Sequence, residues 1–239
     1  MKSDINHTLI YIWKAVGNVP GWRVYEKDNL VLLGSPTRIS NLNICIGAKT
    51  KQDLEKAREF FGDRDFGLFE DTAYPLPFNF KAKADVGLEE MYLDTSGLSV
   101  SEMAPEISIV NDEADLKEWV NVASTVFGFN EEEMLGFMRQ LTKLKNSFLF
   151  IARHNSQVMG TGQVNIDDTS LAYISSIAVL EEFRRHSIGT KLMNAAINYS
   201  IKNGASKLGL HASDMGKYLY DNLNFKKTVT WRFKILGES

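Results

Sequence analysis

The sequence predicts an α+β protein in which a smaller α+β domain precedes a larger one, and three observations predict it. Segments with apolar residues three or four apart are interspersed along the chain with short apolar or alternating runs bounded by turn residues, the signs of helices and strands in one polypeptide. Residues 97–105 (GLSVSEMAP) are small or polar and end in proline, which marks a linker between two such sets. Residues 170–203 read as a strand, a basic turn and an amphipathic helix, the most strongly patterned stretch of the chain. At 239 residues the chain is long enough for a sizeable core in one large or two small domains.

Taken in order, residues 4–16 carry Ile5, Leu9, Ile12 and Trp13 at helical spacing. Strands are predicted at Trp22 to Glu26 and Leu30 to Gly34 around a tight turn at Asp28-Asn29, and a third at Leu42 to Ile46. Residues 50–61 read as a helix with Thr50 and Asp53 as a cap pair and Leu54, Ala57, Phe60 and Phe61 inward. Tyr74-Pro-Leu-Pro-Phe is extended or loop, because proline removes a donor and restricts its predecessor. Glu89 to Asp94 reads as a further strand, so residues 1–100 form the N-terminal α+β domain. This domain has no phosphate turn, metal-ligand cluster or nucleophile set. Its aromatic patch, Phe66 to Phe69 with Phe78 and Phe80, reads as core, with a pocket lining as the other reading.

The second domain, residues 105–239, opens with a strand at Ile107 to Val110. A helix over 113–127 turns Leu116, Trp119, Val120, Ala123 and Phe127 inward, and Asn130 followed by three glutamates starts another. Phe148 to Arg153 and Gln157 to Ile166 form a hairpin around Asn155-Ser156, and Asp167-Asp168 turn the chain into the next strand. That strand, with Tyr173, Ile174, Ile177 and Val179, is nearly apolar on both faces, as a central strand covered on both sides would be. The following helix is written by Ile188, Leu192, Ala195, Ala196 and Tyr199, with Met193, Ile197 and Ile201 widening its stripe and Gly204 as its stop. Lys207 to Leu210 reads as one more strand, followed by a short helix around Tyr218-Leu-Tyr220.

Between the central strand and its helix lies Arg184-Arg185-His186-Ser187-Ile188-Gly189-Thr190. A helix start leaves about four backbone N–H groups without partners, and small residues at Ser187, Gly189 and Thr190 let an anion reach them. Arg184, Arg185 and Lys191 add charge. By spacing alone the same stretch also reads as a solvated basic turn. No Gly-Lys-Ser/Thr closes it, and it is not GxGxxG, so Mg-nucleotide and dinucleotide chemistry are disfavoured.

Residues 172–190 resemble the acyl-CoA-binding motif of the GNAT superfamily of N-acetyltransferases: a hydrophobic strand, then Arg/Gln-x-x-Gly-x-Gly/Ala, then a helix. Here the motif is Arg184-x-x-Ser187-x-Gly189, with serine for the first glycine. The segment from His211 to Phe225 is similar to a second GNAT signature, a short helix with Leu-Tyr followed by Leu-Gly-Phe, here Leu219-Tyr220 and Leu223-Asn224-Phe225. The resemblance implies the GNAT fold with a mixed central sheet over 105–239. It also implies an N-terminal half resembling tandem members that keep the fold without cofactor binding. It implies acetyl-CoA as cosubstrate, no metal, and transfer to a primary amine by direct attack. Cofactor contacts would fall on Ile177, Ala178, Val179, Arg184, Arg185, His186, Ser187, Ile188, Gly189, Thr190, Ser213 and Tyr220. The motif-strand amides of Ile177, Ala178 or Val179 would polarise the carbonyl. Tyr220 would return a proton to the leaving sulfur, Tyr218 being on another helix face. For Tyr220 a packed aromatic is the other reading. His211 is the candidate base, with a satisfied structural histidine as the other reading, and Ser175 is a candidate for substrate contact or relay through water. A non-catalytic ligand-binding protein on the same fold is the alternative function.

Net charge is −3, so bulk attraction to nucleic acid or an anionic membrane is not expected. The single cysteine, Cys45, lies in an apolar run and reads as a buried thiol. With an N-terminus that lacks a signal pattern, this fits a cytoplasmic protein whose partner is a small-molecule or peptide amine. The oligomeric state is not readable from the sequence, a homodimer being one reading.

Overall fold

The computed structural model describes residues 3–17 and 19–237. In chain order the elements are α1 (Asp4–Val16), β1 (Arg23–Lys27), β2 (Leu30–Gly34), β3 (Ile44–Ile46), α2 (Lys51–Phe61), β4 (Phe66–Asp71), β5 (Ala84–Asp94) and β6 (Ile107–Ile109). They continue with α3 (Glu113–Phe127), α4 (Glu131–Leu141), β7 (Ser147–His154), β8 (Gln157–Ile166), β9 (Leu171–Val179), α5 (Ile188–Lys202), β10 (Lys207–Ala212), α6 (Lys217–Asn222) and β11 (Lys226–Leu236). From β6 onward the succession is β-α-α-β-β-β-α-β-α-β. No helix among the described residues is long and apolar enough to cross a membrane.

The chain divides into two compact units, one of residues 1–91 and 211–239 and the other of residues 92–210. The units are cut otherwise than the expected segments 1–100 and 105–239. The reason is β11, which returns to the N-terminal strands and pairs antiparallel with β4 from Trp231↔Asp71 to Leu236↔Phe66.

The first unit has the strand order β1-β2-β3-β4-β11-β5. The β1–β2 hairpin closes at Asp28, whose φ is 54°, with Lys27 opposite Leu30. The helix α2 starts at the expected capping box, Thr50 and Asp53 each bonding the other's backbone N–H. Its face, Leu54, Ala57 and Phe61, packs with Leu32, Cys45, Phe66, Leu68 and Leu236 into one core, and burial pushes the Cys45 thiol far above its ordinary range. The aromatic patch at 66–69 is therefore core, and it forms a strand, β4, that was not anticipated. Its Gly67 leaves room for the Phe233 ring, where a Cβ would lie 1.9 Å from Cζ. The expected strand from Leu42 begins only at Ile44. Residues 40–42 form a 3₁₀ turn instead, and the buried Asn43 amide donates to the Thr37 carbonyl at 2.9 Å and accepts from Ser35 N–H at 3.0 Å.

The second unit has the order β6-β7-β8-β9-β10, antiparallel except for the parallel β9–β10 pair. The hairpin between β7 and β8 turns at Asn155 and Ser156, both at positive φ. Tyr199 of α5 meets the Phe148 and Phe150 rings of β7 at 4.7 and 5.5 Å, and Trp119 of α3 donates Nε1–H to the Gly162 carbonyl of β8 at 3.1 Å. Phe127, expected inward, is exposed, because Gly128 ends α3 there in a left-handed conformation.

The ion pairs of Glu89 in β5 with Lys217 Nζ at 2.6 Å and Lys227 Nζ at 3.0 Å tie the starts of α6 and β11 to the first unit's sheet. The hydrogen bond from Lys217, with help from Lys227, holds the Glu89 carboxyl below its ordinary value against the opposing effect of burial. A folded-state value below the unfolded one, about 4.3, means that this contribution is full above that pH and is lost as pH falls through the folded value. Glu89→Gln should therefore lose less melting temperature than the wild type between about pH 5 and about pH 3, as followed by circular dichroism.

Candidate active site

In the second unit β9 and β10 pair only over Lys207↔Leu171, Leu208↔Ala172 and Gly209↔Tyr173. β9 runs on alone on that side to Val179, while β8 follows its other edge as far as Gly160↔Val179. Leu171, Ala172, Ile174 and Ala178 of β9 are buried, whereas Tyr173, Ser175, Ser176, Ile177 and Val179 are only half-buried, so the expectation of a strand covered on both faces along its whole length fails, most continuously over 175–177 where β10 has left. Leu180 N–H donates to the Met159 carbonyl at 3.0 Å. Strand alternation then turns Ala178 N–H toward β8 and those of Ile177 and Val179 toward the open side. Of the three candidate amides, two face outward. Opposite Gly162 the β8–β9 register shifts, placing two residues, Ser176 and Ile177, against one, and Ser176 has a φ of 54°.

The strand leads through a 3₁₀ turn at 181–183 into the basic turn. Arg184 Nε–H donates to the Val179 carbonyl at 3.2 Å, fixing the guanidinium at the end of the open edge, and the Arg184 carbonyl meets His186 Nδ1 at 2.8 Å. Arg185 and Ser187 are both left-handed, at φ 63° and 59°. Ser187 is the N-cap of α5, but its side chain caps nothing. Ser187 is left-handed and Ile188 helical, and that pairing turns successive N–H groups to one side, the backbone form of an anion nest. Arg184, Arg185, His186 and Ser187 are exposed, and Gly189 and Thr190 half-buried. Ile188 is different: its side chain is buried in the helix stripe, so only its backbone is offered. Lys191, counted above as part of the positive charge, is paired with Glu106 at 2.6 Å. The charge of the turn therefore rests on the two arginines.

Tyr220, His211 and Ser213 belong to the first unit. Tyr220 lies on α6 with its ring edge-on to Phe225 at 6.1 Å and against Gly216, where a Cβ would come within 2.8 Å. Burial pushes its phenol up to about 12. Among the described residues its hydroxyl has no hydrogen-bond partner, yet it is not one of the sealed buried atoms. Tyr218 is 78% exposed, which separates the two tyrosines as the helix period required. His211 is buried, its Nε2 3.7 Å from Glu90 Oε2 and its ring 5.1 Å from that of Phe69. Glu90 accepts from Trp231 Nε1 at 3.1 Å. Sequence reasoning missed Glu90, because Glu89-Glu90 in a strand looks like an ordinary pair and only the pleat turns the second one inward. Ser213 is exposed in the β10–α6 turn, where its carbonyl accepts from Gly216 and Lys217 N–H at 3.0 Å. Asn224 takes the positive φ expected of a residue in the family's glycine position, at 64°.

Because Ser187 makes no capping bond, Ser187→Gly removes the steric cost of a left-handed side chain without losing a contact. We expect a gain of about 0.5–1 kcal/mol in chemical denaturation, offset in part by the greater freedom of glycine in the unfolded chain.

Residues 114–217 match the family model for the acetyltransferase (GNAT) family. Among curated proteins none matches the sequence. Many solved structures share the fold, two of them as follows. One, from Novosphingobium aromaticivorans and assigned to the GNAT acetyltransferase family, is 15% identical and superposes with a TM-score of 0.67 over 90% of this chain and 91% of its own. The other, a GCN5-related N-acetyltransferase from Kribbella flavida, is 14% identical with a TM-score of 0.67 over 97% and 96%. Such likeness speaks for the fold, N-terminal residues included, while the family model speaks for the domain. The chain thus carries a domain of the GNAT acetyltransferase family at residues 114–217.

Proposed function

We propose that the protein moves an acetyl group from acetyl-CoA to a primary amine by direct attack. The observation that carries this reading is the juxtaposition, in one unit, of the open edge of β9 with the uncapped start of α5 and two exposed arginines. The amides from Ser187 to Thr190, with Arg184 and Arg185, suit a pyrophosphate, and His186 lies in the same turn. The open edge of β9 suits an amide-bearing arm added as if it were a strand. The N–H groups of Ile177 and Val179 suit the thioester carbonyl oxygen. In the reaction the amine nitrogen bonds to the carbonyl carbon, the carbon–sulfur bond breaks, and the thiolate takes up a proton.

The remaining roles rest on the resemblance and on the state of each side chain. An alkyl amine has a pKa of about 10.4, so presenting it neutral at pH 7 costs roughly 4–5 kcal/mol, which calls for a base. His211, held beside Glu90, takes that role, and Tyr220, protonated throughout the neutral range, takes the role of acid. Ser213 borders the coenzyme. The acceptor is a small-molecule or peptide amine. Ser187 in the glycine position favours a second reading, a coenzyme-binding protein without catalysis, which turnover separates from the first.

Binding to the native state raises stability by mass action, so acetyl-CoA should raise the melting temperature of the wild type. Gly189→Asp, which sets a carboxylate against the pyrophosphate, should abolish that rise. An unaltered rise would remove the coenzyme from this turn. In a turnover screen over a panel of amines, Tyr220→Phe should lower kcat about tenfold or more with little change in acetyl-CoA affinity. Equal turnover would take Tyr220 out of the mechanism.

A further inference from the structure

The irregularity in β9 is held by two buried side chains that the reaction above does not use. Ser176 and Ile177 stand against Gly162 alone, and the residues flanking Gly162 both bond to Ser176. The Thr161 hydroxyl donates to the Ser176 carbonyl at 3.1 Å, and the Ser176 hydroxyl donates to Gln163 Oε1 at 3.3 Å. Thr161 is fully buried and Gln163 is 6% exposed, so neither is available to solvent. Gly162 is itself fixed through Trp119 Nε1, and a Cβ on it would meet Ile177 Cδ1 at 3.0 Å, so the bulge sits directly over it.

A serine at positive φ persists only where its surroundings over-determine it. The bulge also decides which way the next amide points: each residue inserted into a strand reverses the sense of the alternation beyond it. We propose that Thr161 and Gln163 are positioning residues for acyl transfer: they clamp Ser176 in its left-handed conformation and so aim the Ile177 N–H into the open edge of β9. This deepens, and rests on, the acetyl-CoA reading above. The clamp acts on the acyl carbonyl alone. It leaves the pyrophosphate turn untouched.

That separation supplies the test, since acetyl-CoA has the carbonyl and CoA lacks it. Both are titrated by calorimetry into the full chain as wild type, Thr161→Val, Ser176→Ala, Ser176→Gly and Thr161→Val/Ser176→Gly. The wild type should prefer acetyl-CoA. Thr161→Val and Ser176→Ala should each erode that preference about three- to tenfold, the size of one hydrogen bond, while CoA affinity stays within about twofold. In the Ser176→Gly background, where positive φ is intrinsically allowed, adding Thr161→Val should change the preference no further. Should Thr161→Val fail to fold, Ser176→Ala at its half-exposed position decides alone. An unchanged preference, an equal loss for both ligands, or a wild type that does not distinguish them overturns the clamp and leaves the coenzyme reading standing. A wild type that binds neither overturns both.

Discussion

The parting of β9 from β10 after Tyr173 is the constraint on which the second unit's chemistry depends. A strand paired on both edges has spent its backbone polarity, and a strand that loses a neighbour exposes donors and acceptors that must find other partners. Here the edge is not blunted in the usual ways. No proline interrupts it, and the side chains along it, Ser175, Ser176, Ile177 and Val179, are small or apolar. Arg184 takes the carbonyl at its far end, and from the β8 side Thr161 takes that of Ser176. The chain then passes directly into α5, whose first N–H groups are also left uncapped by any side chain. Two runs of unsatisfied donors thus follow each other within a few residues, and both could be satisfied by a single elongated ligand with an amide-bearing arm and an anionic end.

The turn between them shows what the family's glycine contributes. Ser187 adopts the left-handed conformation that glycine reaches freely, and Arg185 does likewise two residues earlier. Left-handed backbone costs an L-residue roughly 1–2 kcal/mol, and two such residues in one exposed turn is a concentration of strain of the kind found where backbone geometry serves binding. The substitution keeps the direction of the amides and adds only a hydroxymethyl group. What serine alters is therefore the energy of the turn before its geometry. Since Lys191 is engaged by Glu106, the positive charge facing an anion is that of Arg184 and Arg185 with the helix end.

Much of this was legible in the sequence because it is local. Helices 4–16, 50–61 and 113–127 announce themselves by apolar spacing and caps, the hairpins by Asp28 and by Asn155-Ser156, and the turn before α5 by its small and basic residues. What was not legible is long-range. β4 reads as an aromatic patch until Phe233 from the far end of the chain is laid over Gly67. The division of the chain depends on β11 pairing with β4 across more than half the sequence, which no periodicity encodes. The open backbone edge of the second half of β9 is invisible for the same reason: Tyr173, Ile177 and Val179 look alike as letters, and only the register with β10, which ends at Tyr173, separates the paired residue from the unpaired ones. Glu90 was missed because burial of a strand glutamate is decided by its partners, Trp231 and His211.

The proton traffic of the proposed reaction adds a condition of its own. A phenol raised to about 12 by burial cannot serve as a base near neutrality, so Tyr220 has only the acid's role open to it. Yet an ordinary thiol ionises near 8.5, and handing a proton from a phenol at about 12 to such a thiolate is uphill by roughly 4–5 kcal/mol. The transfer becomes balanced only if the leaving sulfur is also withdrawn from water, since desolvation raises the basicity of any anion. The burial that makes Tyr220 a poor acid in water is thus of use only against a thiolate generated in an equally dry place. Beside the candidate base, the buried Glu90 carboxylate needs donors, which Trp231 and Thr228 supply, and its Oε2 lies 3.7 Å from His211 Nε2. The proposed acid and base thus differ in what surrounds them, the phenol meeting an apolar ring and a glycine and the imidazole a carboxylate.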